Sequence, residues 1–203
     1  MPPLVKIEVA TSNPGKLREY RELAAGQPIQ LESVPGIVAL VPFDEHANTF
    51  AENSAGKALY YSRFTSKPVI ADDSGLVVPA LGGAPGVHSA RYAGPSATDA
   101  DRVKKLLTEM GGKTGSDRRA RFVCVLTLAQ AGRAIAIFSD TVEGILANEP
   151  RGAGGFGYDP VFYFEKLGKT YAEISRQEKN EYSHRGRAFR KLLQFLLTFE
   201  PHI

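Results

Sequence analysis

The stretch Ile70-Ala71-Asp72-Asp73-Ser74-Gly75 constrains this chain more than any other, because an apolar run delivers two adjacent carboxylates to a Ser-Gly pair. Side chains emerge from the end of a strand into the clefts where α/β proteins hold their ligands. Neighbours on a regular strand point to opposite faces, so Asp72 and Asp73 can share one ion only where the strand ends. Ser74-Gly75 reads as that ending, which makes the pair either an acidic site or a solvated turn.

The elements around it alternate between strand and helix patterns. Val5-Lys6-Ile7-Glu8-Val9-Ala10 alternates apolar and charged residues as a half-buried strand does, and it stops at Thr11-Ser12-Asn13-Pro14-Gly15-Lys16. Leu17, Tyr20, Leu23 and Ala24 then recur at helical spacing. A turn of this kind either caps the helix through Thr11, Ser12 or Asn13, the commoner role, or offers amides and Lys16 to a phosphate. The spacing is not that of a Walker A loop. Residues 29–33 alternate again, and Pro35-Gly36 opens an irregular stretch to Asn48 that carries Asp44 and Glu45. Thr49 with Glu52 forms a capping box for a helix to about Phe64, and it places Asn53 and Lys57 on one face.

Beyond the Asp-Asp pair, Leu76-Val77-Val78-Pro79 continues as a short apolar strand, and 80–95 reads as a long loop holding Ser89-Ala90-Arg91-Tyr92. Residues 98–110 have helical spacing, and 121–130 with 133–143 form a hairpin about Ala131-Gly132. Gly152, Gly154 and Gly157 spell G-x-G-x-x-G, but Asp159-Pro160 forbids the helix that a dinucleotide fingerprint must open. Glycines beside Phe156 and Tyr158 suit backbone that approaches a flat ligand, with a ring available to stack. Ser183 is the expected N-cap of the last helix, whose apolar stripe includes Ala188, Phe189, Leu192 and Leu193. His184 and Arg185 then oppose the dipole of that helix, a local conflict of the kind found at functional sites.

Composition narrows the function. With 203 residues and 43% hydrophobic content the chain fits a single domain, 1–203. A net charge of +3 suits a small polyanion and is too slight for a nucleic-acid binder. Cys124 is the sole cysteine, so an intrachain disulfide is excluded and a Cys-based metal site disfavoured. The start of the chain lacks a targeting pattern and no apolar run reaches membrane length, so the expectation is a cytoplasmic protein without membrane contact.

Taken together the chain resembles the inosine triphosphate pyrophosphatase family. The likeness rests on Thr11-Ser12-Asn13-Pro14-Gly15-Lys16, Thr49-Phe50 with Glu52-Asn53 and Lys57, Ala71-Asp72-Asp73-Ser74-Gly75, Ser89-Ala90-Arg91-Tyr92, Gly154-Gly155-Phe156-Gly157-Tyr158-Asp159-Pro160, and Lys179 with Ser183-His184-Arg185. It departs from the family at Ala47-Asn48, where glycine is common, and at Ser54 in place of alanine.

The resemblance implies an α/β fold, an elongated mixed sheet flanked by helices in two lobes with a central cleft, assembled as a homodimer. It implies hydrolysis of ITP, dITP and XTP to the monophosphate and pyrophosphate with Mg²⁺. Thr11, Ser12, Asn13, Pro14, Gly15 and Lys16 would hold the triphosphate with Lys57, and Ser74 would touch substrate. Asp73 would be general base and metal ligand, together with Asp72 and an acidic residue carried as Glu45 with Asp44 as its alternative. Phe156, Gly157, Tyr158, Asp159, Lys179, His184 and Arg185 would form the base pocket. The competing readings are a pyrophosphatase of similar fold acting on pyrimidine or modified nucleotides, a nucleic-acid-binding module and a dinucleotide-dependent enzyme.

Overall fold

Parallel strands need a crossover that returns the chain, and the N-terminal part supplies one. In the computed structural model, which describes residues 5–198, β1 (Val5–Val9) and β2 (Ile29–Ser33) run parallel with Ile7 opposite Leu31, and α1 (Pro14–Ala24) lies between them in sequence. Met1 to Leu4, read above as lacking a targeting pattern, lie outside the described residues. After α2 (Phe50–Tyr61), β3 (Val69–Val77) pairs parallel to the other side of β1, Val9 opposite Ile70. Then come α3 (Asp99–Glu109), β4 (Arg119–Gln130), β5 (Arg133–Leu146), β6 (Phe162–Phe164), β7 (Lys169–Thr170), α4 (Arg176–Tyr182) and α5 (His184–Thr198). The strands form one mixed sheet in the order β2-β1-β3-β4-β5-β6-β7.

Local sequence explains most boundaries. Asn13 caps α1 by accepting from the Lys16 amide at 3.0 Å, with Pro14 in the first turn where its missing N–H costs nothing. Thr49 caps α2, and Thr98-Asp101 and Ser175-Glu178 form full capping boxes on α3 and α4. Ala131 and Gly132 both have positive φ, 49° and 74°, as a two-residue hairpin turn between β4 and β5 requires.

Several expectations change. The strand does not stop at the Asp-Asp pair: β3 runs on through Ser74 and Gly75 to Val77. Gly75 is there for close approach, since a Cβ on it would meet the Gly86 carbonyl oxygen at 2.5 Å and the Ser89 side chain nearer still, while Leu76 N–H donates to Ser89 Oγ at 2.9 Å. The loop over 80–95 contains 3₁₀ turns at Pro79–Leu81 and Gly86–Arg91. The short strands β6 and β7 and the helix α4 were not expected, although Ser175 and Glu178 carry the signal for α4.

The chain divides into two compact units. The first comprises residues up to Asp73, Cys124–Asp140 and those from Arg185 on; the second comprises Ser74–Val123 and Thr141–His184. In the first, Ile7, Val9, Ile70, Leu126 and Leu128 pack with Tyr20 of α1 and Phe189 and Leu192 of α5 on one face of the sheet. Ala10, Val69, Ala71 and Ala129 pack with Ala58 and Tyr61 of α2 on the other. In the second unit Leu76, Val78, Phe122, Val142 and Phe162 close on Val103 and Leu106 of α3 and on Met110, which caps its C-terminus.

Candidate active site

Because β3 continues, strand alternation separates the two carboxylates. Ile70 belongs to the layer under α1 and α5, and Asp72, two residues on, faces Lys16 of α1 and Arg185 of α5. Val69 and Ala71 belong to the layer under α2, and Asp73 meets Asn53 of α2.

Asp72 is 2% exposed and both its oxygens carry cations. Lys16 Nζ lies 3.0 Å from Oδ1, and Arg185 donates through Nε and Nη2 to Oδ2, each at 3.3 Å. Arg185 Nη1 donates in turn to Glu19 Oε2 at 2.5 Å. Burial alone would raise the Asp72 pKa, but Lys16, Arg185 and Lys57 outweigh it and hold the carboxyl well below the usual carboxylate range. The same pair of carboxylates, Glu19 and Asp72, keeps the buried Arg185 charged.

Asp73 is the opposite case. It is 5% exposed, and its Oδ2 accepts from Asn53 Nδ2 at 3.1 Å. Burial lifts it to about 6, Glu45 adding to the rise while Lys16, Lys57 and the Asn53 bond work against it. A carboxylate so placed accepts a proton near neutral pH. Asn53 also exchanges hydrogen bonds with the Ala47 main chain, at 3.0 and 3.2 Å, which ties the acidic loop to α2. Glu45 pairs with Lys57, which also donates to the Asp72 carbonyl at 3.0 Å. Asp44 pairs with His46 instead and its side chain is 70% exposed, so Glu45 is the acidic residue whose charge reaches Asp73.

These oxygens fit a hard divalent cation. The charge of Glu45 raises the cost of ionising Asp73, which a cation offsets. Among the described residues no group of three or more His, Cys, Asp or Glu side chains is arranged to hold a metal ion. Asp72, expected as a co-ligand of Asp73, has its oxygens on Lys16 and Arg185.

At the start of α1, Thr11 Oγ1 accepts from the Asn13 amide at 3.1 Å, Ser12 is exposed and Gly15 is buried. Lys16 points into the charge network. Capping and a cationic side chain aimed inward therefore coexist in this turn.

The second unit gathers the aromatic and glycine-rich residues. Asp159, 2% exposed, accepts from the Phe156 amide at 2.8 Å and pairs with Lys179, itself 5% exposed. Gly155, at φ 70°, leaves the room that this carboxylate occupies. Lys179 Nζ stands 4.7 Å from the centre of the Phe156 ring. The Tyr158 hydroxyl donates to the Ser89 carbonyl at 2.9 Å, and Gly157 N–H donates to Asp99 Oδ2 at 2.7 Å. His184 stacks on Phe122, ring centres 4.7 Å apart and 10° from parallel. Ser74 is half-buried on β3.

Of the residues expected to bind the base, Lys179 and His184 belong to this unit, whereas Arg185 is buried against Asp72 and Glu19 in the first. Sequence reading passed over Asn53 as a partner of Asp73, although its spacing to Lys57 placed it on the right face. Glu19 carried no signal at all, because an acidic residue in an amphipathic helix ordinarily faces water.

The Ham1 family model matches residues 7–195. The chain belongs to the Ham1 family. It is 50% identical over 187 residues to a protein of Geobacillus kaustophilus called dITP/XTP pyrophosphatase, covering 92% of each chain. It is 48% identical over 190 residues to a protein of that name from Thermus thermophilus, covering 94% of this chain and 91% of that one. Among solved structures, a Coxiella burnetii HAM1 protein superposes with a TM-score of 0.86 at 40% identity, over 96% of this chain and all of that one. A Mycobacterium abscessus nucleoside-triphosphatase, also titled dITP/XTP pyrophosphatase, gives a TM-score of 0.70 at 36% identity over 93% and 99%. The Ham1 fold thus matches the mixed sheet flanked by helices described above. No helix among the described residues is long and apolar enough to cross a membrane.

Proposed function

We propose that this Ham1 chain is a nucleoside-triphosphate pyrophosphatase that converts ITP, dITP and XTP to the monophosphate and pyrophosphate, keeping deaminated purines out of DNA and RNA. The observation that carries the reading is the division of labour on β3: Asp72 is closed by two cations, and Asp73 is buried with its pKa lifted to about 6. Names of close relatives, dITP/XTP pyrophosphatase, support the substrate class.

Asp73 serves as general base, taking a proton from the water that attacks the α-phosphorus, with Asn53 fixing the carboxylate's orientation. Lys16 and Lys57 bring positive charge to the triphosphate, and the Thr11 to Gly15 turn contributes helix-start amides. Mg²⁺, held by Asp73 and Glu45, would supply neutralisation of the charge that builds on the departing pyrophosphate. Asp72 anchors Lys16 and Arg185.

Base selection falls to the second unit. Phe156 offers a ring to stack on, while Lys179 and His184 can donate to the 6-oxo group of hypoxanthine or xanthine. Adenine presents an amino group there and would leave a buried donor unpaired. Ser74 and the Gly157 to Asp159 backbone complete the contacts. The homodimer belongs to this reading through the family resemblance, and a cytoplasmic setting is part of the same proposal.

The test is pyrophosphate release from ITP, XTP, ATP, GTP and dTTP side by side with Mg²⁺ and with EDTA. Metal-dependent release that favours ITP and XTP supports the assignment. Release chiefly from dTTP moves the chain to a pyrimidine or modified-nucleotide substrate, and no release removes the reading.

A further inference from the structure

One polar stripe of α3, formed by Asp99, Arg102, Lys105 and Glu109, engages the loops of the second unit. Asp99 Oδ2 accepts from the Gly157 amide at 2.7 Å. Arg102 pairs with Asp99 Oδ1, and its Nη1 donates to the Ala90 carbonyl at 2.9 Å and the Ala97 carbonyl at 2.6 Å. Lys105 Nζ donates to the Tyr92 carbonyl at 2.7 Å and stands 4.5 Å over the Tyr92 ring, whose hydroxyl meets Glu109. The Tyr158 hydroxyl closes the circuit on Ser89. The Ser89-Ala90-Arg91-Tyr92 segment, unused by the proposed chemistry, and the Phe156 to Asp159 turn therefore hang on the same helix.

We infer that Asp99 is a positioning residue for base discrimination: its carboxylate fixes the Gly157 amide, and with it the Phe156 ring and the Lys179 ammonium, while Arg102 locks the carboxylate. Gly157 sits at φ 62°, a conformation open to glycine, so the turn depends on outside contacts to stay in place. The bond from Gly157 ends on a side-chain oxygen, an acceptor that an asparagine amide oxygen at the same position reproduces. The Asp99 side chain is 46% exposed, so removing it opens no cavity in the core. Its loss is felt at the turn, where displacement of a ring and an amine weakens ground-state and transition-state binding of the base together. This inference rests on the proposed reading of the chain as a purine nucleotide pyrophosphatase.

The experiment compares full-length Asp99→Ala and Asp99→Asn with the unaltered protein, reading kcat and KM for ITP, XTP and GTP alongside hydrogen exchange of the peptide spanning residues 156–159. Asp99→Ala is expected to raise KM for ITP about tenfold with kcat changed less than about threefold, to narrow the preference for ITP over GTP, and to speed exchange of that peptide. Asp99→Asn keeps an oxygen that accepts from Gly157 and is expected to recover all three. An Asp99→Ala protein with unchanged KM and unchanged preference overturns the inference, as does one whose only change is a lower Tm. Failure of Asp99→Asn to recover also overturns it. If the unaltered protein hydrolyses none of these nucleotides, the function reading falls on its own, and unchanged exchange in Asp99→Ala would still overturn the contact separately.

Discussion

Asp72 and Asp73, adjacent on β3, carry carboxylates of opposite character: the first is held ionised by Lys16 and Arg185, the second is pushed toward its protonated form by burial and by Glu45. The continuing strand separates them to opposite faces, so two environments are built from consecutive residues. One anchors charge and the other is free to exchange a proton.

Asp73→Asn should lower kcat by about 10² to 10⁴, the usual yield of a general base, while leaving ITP affinity within a few-fold. Single-turnover assays and equilibrium binding would separate the two; near-normal turnover would remove Asp73 from the base role.

The same substitution bears on stability. A folded pKa of about 6 against about 3.9 unfolded means that the native state holds the proton more tightly. The contribution of Asp73 is fully present below about pH 4 and is lost as pH rises through about 6, a cost of about 2 to 3 kcal/mol in metal-free protein. Asp73→Asn should therefore unfold at higher urea than the unaltered protein at about pH 8 in EDTA, and the gain should vanish near pH 4. Equal midpoints at both pH values would show that the carboxylate carries no such penalty.

Arg185→Ala should act first on folding. It strands Asp72 and Glu19 without their shared cation, at a cost of about 3 to 5 kcal/mol. The depressed Asp72 pKa gives stability that is present above the unfolded value of about 3.9 and lost as pH falls below it, so the variant should also show a shallower acid limb. Urea titrations at neutral and acid pH check both; a variant with unaltered midpoints would show that the buried pair contributes nothing.

Gly75→Ala places a methyl group against the Gly86 carbonyl and the Ser89 side chain, and the backbone cannot yield as a side chain can. We expect about 1 to 3 kcal/mol of destabilisation from overpacking, read as a lower urea midpoint with unchanged m-value. A neutral effect would mean that the Gly86–Arg91 turn is free to move.

Cys124 is fully buried, and burial pushes its thiol up to about 12. It should resist a thiol reagent in native buffer and react once urea unfolds the chain. Rapid labelling of the folded protein would contradict the packing of β4 beneath α1 and α5.

Much of this was written in local sequence. Alternation in Val5–Val9 and Ile29–Ser33, the Thr49 and Thr98 caps and the Ala131-Gly132 turn each act within a few residues, so the strands and helices that they bound were legible before any tertiary structure. The family motifs likewise named Asp73, Lys16 and Lys179. What only the tertiary structure decided was which charges meet. Ser74-Gly75 reads locally as a turn, yet the close approach of Ser89 makes it part of a strand, and that separates Asp72 from Asp73. Arg185 reads as a helix-start cation beside His184, yet it is neutralised by Glu19 and Asp72 from distant parts of the chain. Local patterns fix backbone conformation because its forces are short-ranged; the pairing of buried charges depends on which elements the packed core brings together, and no window of sequence contains that.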